Sequence, residues 1–165
     1  MATQLEKFDS TGGYSIDKTI IVDELRNAKD INTLQIKNSE FADSSTTNYI
    51  LRGLNTAVLA LDGIATQIPI GPNTLNFITG NIIAVNPAGL VYSLKIESVA
   101  SADVSAVVSV LSSMTTVIKD SVPLGQTWSV EPLGATGRFS YTTTRAGTTN
   151  VIKWIASTQV VSIDW

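Results

Sequence analysis

The carboxylates that fall near the ends of the expected strands are the groups in this chain best suited to catalysis. Glu97, Asp120 and Glu131 are of the type that glycoside hydrolysis uses in pairs at a fixed separation. The sequence has no histidine and no cysteine, which excludes a Ser-His-Asp triad, thiolate chemistry and a structural zinc site. No motif brings the three carboxylates together, so we expect them to be solvated residues on strand faces.

Two short motifs share a few residues with known ligand-binding loops but lack the groups that hold the ligand. Asp62-Gly63 has neither the series of oxygen ligands nor the distal glutamate of a calcium loop. The segment from Gly134 to Gly137 lacks the Lys-Ser/Thr pair of a phosphate loop. We predict turns or loops at both places, no catalytic residue, no cofactor and no metal, and therefore a protein that is not an enzyme.

The aromatic residues allow two interpretations. Trp128, Tyr141 and Trp154 could form a platform on which a sugar ring stacks, but aromatic residues in alternating strands usually belong to the core. Exposure of these three side chains, or of Tyr49 and Tyr92, would favour sugar binding. Their burial would favour a purely structural role.

The elements that position these residues are predicted to be β-strands. Apolar and polar residues alternate in residues 90–97, 126–131 and 139–144, which is typical of half-buried antiparallel strands. Shorter apolar runs at 57–61, 75–78 and 82–85 are predicted as further strands, with turns between them at 62–63, 71–73, 80–81 and 86–89. The fold class predicted is all-β: an antiparallel, jelly-roll-like β-sandwich.

Two segments do not follow the simple pattern. Residues 103–114 fit either a helix or a strand, and their serine and valine content favours a strand. In residues 150–165 the apolar positions change phase, which predicts a bulge or tight turn near residues 157–159. Because the segment ends on an aromatic residue, Trp165, we expect its end to be tucked against the protein.

The charges are distributed unevenly, which indicates a boundary. The first 50 residues hold five of the 11 basic and eight of the 14 acidic groups, so they carry the whole net charge of −3. We predict an extended polar N-terminal arm over residues 1–49 and a sandwich domain over residues 50–165. The arm contains a turn at 10–13, a β-favouring run at 19–22 and a segment at 23–30 able to form a helical turn. It packs either on its own domain or on a neighbouring subunit.

The acidic balance and the lack of long apolar runs limit the partners. Nucleic-acid binding needs clustered Lys and Arg, whereas Arg138, Arg145 and Lys153 are expected to be ordinary cations at strand edges. No apolar run approaches the ~18 residues of a membrane span, and the first residues do not form a secretory signal. We therefore expect neither nucleic acid nor a membrane as partner, and synthesis in the cytoplasm.

The sequences of three segments, residues 8–19, 38–53 and 144–154, resemble those of small virion structural proteins of marine tailed phages, particularly cyanophages. The resemblance implies a capsid decoration or cement protein, or a fibre or baseplate subunit, located in the virion and forming a homo-oligomer, expected to be a trimer. Its partners would be the major capsid protein or tail proteins. The alternative is a carbohydrate- or receptor-binding β-sandwich module of a tail fibre or baseplate. No functional residue can be carried over from these proteins.

Overall fold

The structure is a computed structural model that describes residues 14–16, 19–22, 28 and 33–165. The chain divides into two compact units, Met1–Asn32 and Thr33–Trp165. In the first unit two short strands form an antiparallel pair, which confirms the strand predicted at 19–22. The helical turn predicted at 23–30 and the turn predicted at 10–13 lie outside the described residues, apart from Ala28.

Within the described residues all regular secondary structure is β, as predicted. The strands are β1 (Tyr14–Ile16), β2 (Thr19–Val22), β3 (Thr33–Asn38), β4 (Phe41–Leu54), β5 (Ala57–Val58), β6 (Ile68–Pro69), β7 (Thr74–Val85), β8 (Val91–Ala102), β9 (Val108–Asp120), β10 (Thr127–Ala135), β11 (Arg138–Ala146) and β12 (Lys153–Asp164).

The second unit is a sandwich of two antiparallel sheets. The larger sheet has six strands in the order β3-β4-β12-β7-β8-β9, and the smaller one has the order β10-β11-β5, with β6 also paired to β11. The strand that the sequence favoured within 103–114 is confirmed, because β9 begins at Val108. These observations bear out the all-β, antiparallel sandwich.

The core lies between the two sheets, where the inward residues of the alternating strands meet. Ile78, Ile82 and Leu94 of the large sheet belong to one buried cluster with Phe139 and Tyr141 of the small sheet. The rings of Phe139 and Tyr141 pack edge to face with centroids 5.3 Å apart. The burial of these side chains supplies the main stabilisation of the sandwich.

Three loops are closed by the same local hydrogen bonds. The side-chain oxygens of Asp62, Asn86 and Asp103 each accept two backbone N–H groups, from the second and fourth residues that follow, at 2.8–3.0 Å. This geometry lets a short polar side chain replace a backbone partner in a turn. The turns predicted at 62–63 and 86–89 are therefore present.

The turn predicted at 80–81 is wrong, because Gly80 lies in the middle of the continuous strand β7. A Cβ atom at this position would collide with the hydroxyl of Tyr141 and lie 2.7 Å from its Cζ. Glycine is therefore needed here for the close approach of a tyrosine from the facing sheet, which is the other common reason for glycine in a strand.

The bulge predicted near residues 157–159 is also wrong. β12 pairs in unbroken register with β4 and β7, and its inward residues alternate regularly from Trp154 to Val160. The apolar positions change phase because Val161 and Ile163 lie on the outer face of the sheet, where they are half exposed. Trp165, which we expected to be tucked in, is 67% exposed.

The structure divides the chain at a different place from the charge pattern. The division falls after Asn32, whereas the predicted boundary between residues 49 and 50 lies inside β4. Residues 33–49 thus contribute β3 and most of β4 to the large sheet. Whether the predicted arm over residues 1–49 packs on its own domain or on a neighbouring subunit stays a prediction.

Candidate functional site

The three carboxylates considered for catalysis are dispersed. Glu97 lies on β8 and accepts a hydrogen bond from Lys95 at 2.8 Å. Asp120 ends β9 opposite Tyr92, which is five residues along β8 from Glu97, or about 17 Å in an extended strand. Glu131 lies in the other sheet, on β10. The structure therefore brings no two of these carboxylates together.

The other polar candidates have structural roles. Hydrogen bonds from the side chain and backbone of Thr66, and from the backbone of Ile64, lower the pKa of Asp62. One guanidinium nitrogen of Arg145 donates to the Asn55 side chain at 3.2 Å and to the carbonyl of Asn150 at 2.8 Å, which ties the loop before β12 to the end of β4. No group of three or more acidic side chains that could hold a metal ion occurs among the described residues.

The segment considered as a phosphate loop is part of a hairpin. Gly134 lies in β10, and Gly137 sits with a φ of 69° in the two-residue turn that joins Ala135 to Arg138. A positive φ is the conformation in which glycine avoids strain. Lys153 and Arg138 are exposed at strand ends.

The aromatic residues do not form an exposed platform. Trp128, Tyr141 and Trp154 are all at most 4% exposed, and Tyr49 is 8% exposed. Tyr92 is half-buried and packs edge to face on Trp154, with ring centroids 6.5 Å apart. Burial raises the pKa of Tyr141 to about 12, and it also raises the pKa values of Tyr49 and Tyr92. Four of the five side chains thus belong to the core.

One shallow cleft places Tyr92 beside polar groups. Its walls come from the end of β9, the following loop and the start of β10, and include Asp120, Gln126 and Trp128. The amide oxygen of Gln126 already accepts the indole N–H of Trp128 at 3.2 Å. This cleft is the arrangement in the described residues that best suits a saccharide, although it offers one half-buried ring.

The outer face of the six-stranded sheet is the more conspicuous feature, because much of it is apolar and uncovered within the described chain. One row of directly paired residues crosses all six strands and includes Phe77, which is 46% exposed, and Val161, which is 43% exposed. The row consists of Ile36, Thr46, Val161, Phe77, Val99 and Ser112.

A second row beside it has the same character. Ile163 and Leu75 pair directly, and their neighbours are Ser44 on β4 and Ser101 on β8. Neither row contains a charged residue. We call the exposed apolar side chains of the two rows the apolar strip: Ile36, Leu75, Phe77, Val161 and Ile163.

The next row on the same face is polar over its four central strands, where it contains Asn48, Gln159, Thr79 and Glu97. Its two ends, Leu34 on β3 and Met114 on β9, are exposed apolar residues, so polar residues border the apolar strip only along the middle of the sheet. A patch of apolar side chains bounded by polar residues is typical of a protein–protein contact. The sequence contains one sign of the strip, because in residues 150–165 the apolar residues shift to the other set of alternate positions at Val161 and Ile163. The sequence analysis interprets this shift as a bulge.

No protein-family profile matches the chain, and a search of curated proteins also finds no match. Among solved structures the chain is similar to the tailspike protein gp49 from Acinetobacter baumannii bacteriophage Fri1, a capsular polysaccharide depolymerase, with a TM-score of 0.48 and 12% sequence identity. The likeness covers 92% of this chain and 24% of the tailspike chain, so the present chain spans about a quarter of that protein's length. None of the described segments is a helix long and apolar enough to cross a membrane.

Proposed function

We propose that this protein is a non-enzymatic structural component of a tailed-phage virion and that it joins the particle through the apolar strip. The strip carries the proposal, because the sandwich already has a complete core and yet leaves Phe77 and its neighbours half exposed. Monomeric proteins rarely leave such surface uncovered. The resemblance of residues 8–19, 38–53 and 144–154 to small virion proteins is the reason for proposing that the particle is a tailed-phage virion.

The partner of the strip should have a matching surface. Because the two rows are uncharged and carry only serine and threonine beside their apolar residues, they fit an apolar, neutral patch on a major capsid or tail protein. A strongly charged partner would lose hydration at this face without gaining a paired charge.

Within this role we propose a capsid decoration or cement protein, or an accessory fibre protein, present as an oligomer. A copy count by mass spectrometry of purified particles separates the two. Hundreds of copies per particle indicate capsid decoration, and a few to tens of copies indicate a tail or fibre component.

A single charge tests the strip itself. Phe77→Lys should leave the chain folded, because Phe77 is already half exposed, but should strongly reduce its incorporation into particles. Asn81→Lys is the matched control, because Asn81 is an exposed residue on the same strand and the same face as Phe77 but lies in neither row of the strip. Incorporation of the Phe77→Lys chain at the level of the Asn81→Lys chain would contradict the proposed contact.

A carbohydrate-binding module of a tail fibre is the second candidate, and the cleft beside Tyr92 favours it. Because Trp128 lines that cleft, a bacterial surface polysaccharide bound there should change the tryptophan fluorescence. If the change is abolished by Tyr92→Ala, the cleft binds saccharide. An unchanged spectrum at saturating polysaccharide would remove this candidate.

A further inference from the structure

β9 forms one edge of the six-stranded sheet, and within the described residues its outer side is paired with no strand over most of its length and lacks the usual protection of a sheet edge. Residues 108–118 contain no charged residue and no proline. Leu111, Met114 and Ile118 are 60%, 58% and 68% exposed. Edge strands normally carry charged side chains or proline, because unpaired backbone N–H and C=O groups attract another strand.

Two bulges occur in β9, but they do not block the edge. The ladder with β8 skips one residue at Leu111 and one at Ile118. Bulges often turn an edge away from further pairing. Here the bulged residues are apolar, and residues 112–117 between them form a regular ladder with β8.

The start of β9 is already covered by the small sheet. Val107 forms a bridge with Thr136, and a Cβ atom on Gly134 would collide with the carbonyl group of Val108. Among the residues that the structure describes, the unpaired and uncharged part of the edge therefore runs over residues 110–118, with Met114 at its centre.

We propose that β9 pairs antiparallel with β9 of a second copy of this chain, with the two Met114 residues facing each other on a two-fold axis. In this register apolar residues face apolar residues and hydroxyls face hydroxyls, which is the favourable kind of cross-strand pair. The facing pairs are Val110 with Ile118, Leu111 with Val117, Ser112 with Thr116, and Ser113 with Thr115.

Neighbouring registers lose this match. Centring the pair on Ser113 places Thr116 opposite Val110, and centring it on Thr115 places Lys119 opposite Leu111. The uncharged edge also favours a second copy over a charged partner, since the copy brings no charge into the nine paired residues. A two-fold contact is closed, whereas pairing of β9 with the opposite edge strand, β3, would continue into a polymer.

Disulfide trapping tests the register in the full-length protein. The sequence has no cysteine, so Met114→Cys introduces a single thiol. Directly opposed residues in an antiparallel pair have Cα atoms about 4.5–5.5 Å apart, within the range that a disulfide spans. Mild oxidation should therefore give a dimer of twice the 17.6 kDa chain mass, which a reductant reverses.

Ser109→Cys is the matched control on the same exposed strand. In the proposed register its two thiols are ten residues apart, or about 33 Å, and should not link. Mixing Ser109→Cys with Lys119→Cys chains should give the mixed dimer, because these positions face each other.

A second pair of variants measures association without oxidation. Met114→Lys places two like charges together on the axis and should give monomers by light scattering, whereas Met114→Thr should remain dimeric. Met114 is exposed in the single chain, so circular dichroism should show both variants folded.

Three results would overturn the pairing. The first is that the Met114→Cys chain forms no disulfide-linked dimer. That result would be obtained if the protein is a monomer whose β9 edge is covered by residues 1–32, or if it is a trimer. The second is a Ser109→Cys chain that links equally well. The third is formation of long polymers by the unmodified protein.

Discussion

Gly80→Ala is a sensitive test of the packing between the two sheets. Replacing glycine by alanine inside a strand ordinarily stabilises a protein by about 0.5–1 kcal/mol. At this position the added Cβ would lie 2.7 Å from Cζ of Tyr141 and 3.3 Å from its Cε2, and it would collide with the hydroxyl. Favourable carbon–carbon contacts have separations of about 3.5–4.0 Å, so the ring or the strand must move.

The expected cost follows from these two opposing effects. Overpacking a well-ordered core costs about 1–3 kcal/mol, which exceeds the backbone gain. We therefore expect the free energy of unfolding to fall by about 1–2 kcal/mol, measured by urea denaturation. Gly63→Ala is the matched control, because nothing lies within 4 Å of a Cβ at Gly63, and it should be neutral or stabilising.

A double-mutant cycle identifies the colliding group. The Tyr141 hydroxyl is buried near the Thr158 hydroxyl, and neither oxygen makes a hydrogen bond of good geometry within the described residues, so Tyr141→Phe should change the free energy of unfolding little at neutral pH. In that background Gly80→Ala should cost less, with a coupling of about 1 kcal/mol. Additive effects, or a Gly80→Ala protein as stable as the Gly63→Ala protein, would refute the close approach.

Two further predictions concern stability in alkali and the extent of the folding unit. Burial raises the pKa of Tyr141 to about 12 in the folded protein, so ionising this side chain disfavours the folded state. The part of the free energy of unfolding that depends on a neutral Tyr141 is complete below pH 10 and should be lost between pH 10 and 12, at up to about 1.4 kcal/mol per pH unit. Tyr141→Phe should flatten this decline in urea midpoints, and an unchanged slope would contradict it. Deletion of residues 1–32 should leave a cooperative thermal transition, whereas deletion of residues 1–48, which removes β3 and half of β4, should abolish it.

The sequence predicted the fold class correctly where one face of a strand is buried and the other is polar. β8 shows this pattern, since Leu94 and Ile96 are buried while Lys95 and Glu97 point outward. Such alternation results directly from the two-residue period of a strand, so no knowledge of the partner strands was needed.

The sequence misled us where long-range contacts decide the role of a residue. Gly80 has the local signature of a turn, and only the facing Tyr141 shows that it is a packing position. The apolar residues Val161 and Ile163 suggested a change of phase, because we assumed that one face of each strand is polar. That assumption fails on the outer face, and the failure itself marks the candidate contact surface.

The two proposed contacts are geometrically compatible and make one joint prediction. A two-fold axis that pairs two β9 strands within one continuous sheet is perpendicular to that sheet, so both apolar strips would lie on the same side of the dimer. The dimer could then bind one particle surface at two points, and linked binding strengthens attachment by a large factor. Met114→Lys should therefore reduce incorporation into particles although it leaves Phe77 and the strip intact, while Phe77→Lys should leave the disulfide crosslink of a Met114→Cys chain intact. Full incorporation of a monomeric Met114→Lys chain would show that attachment needs one strip only.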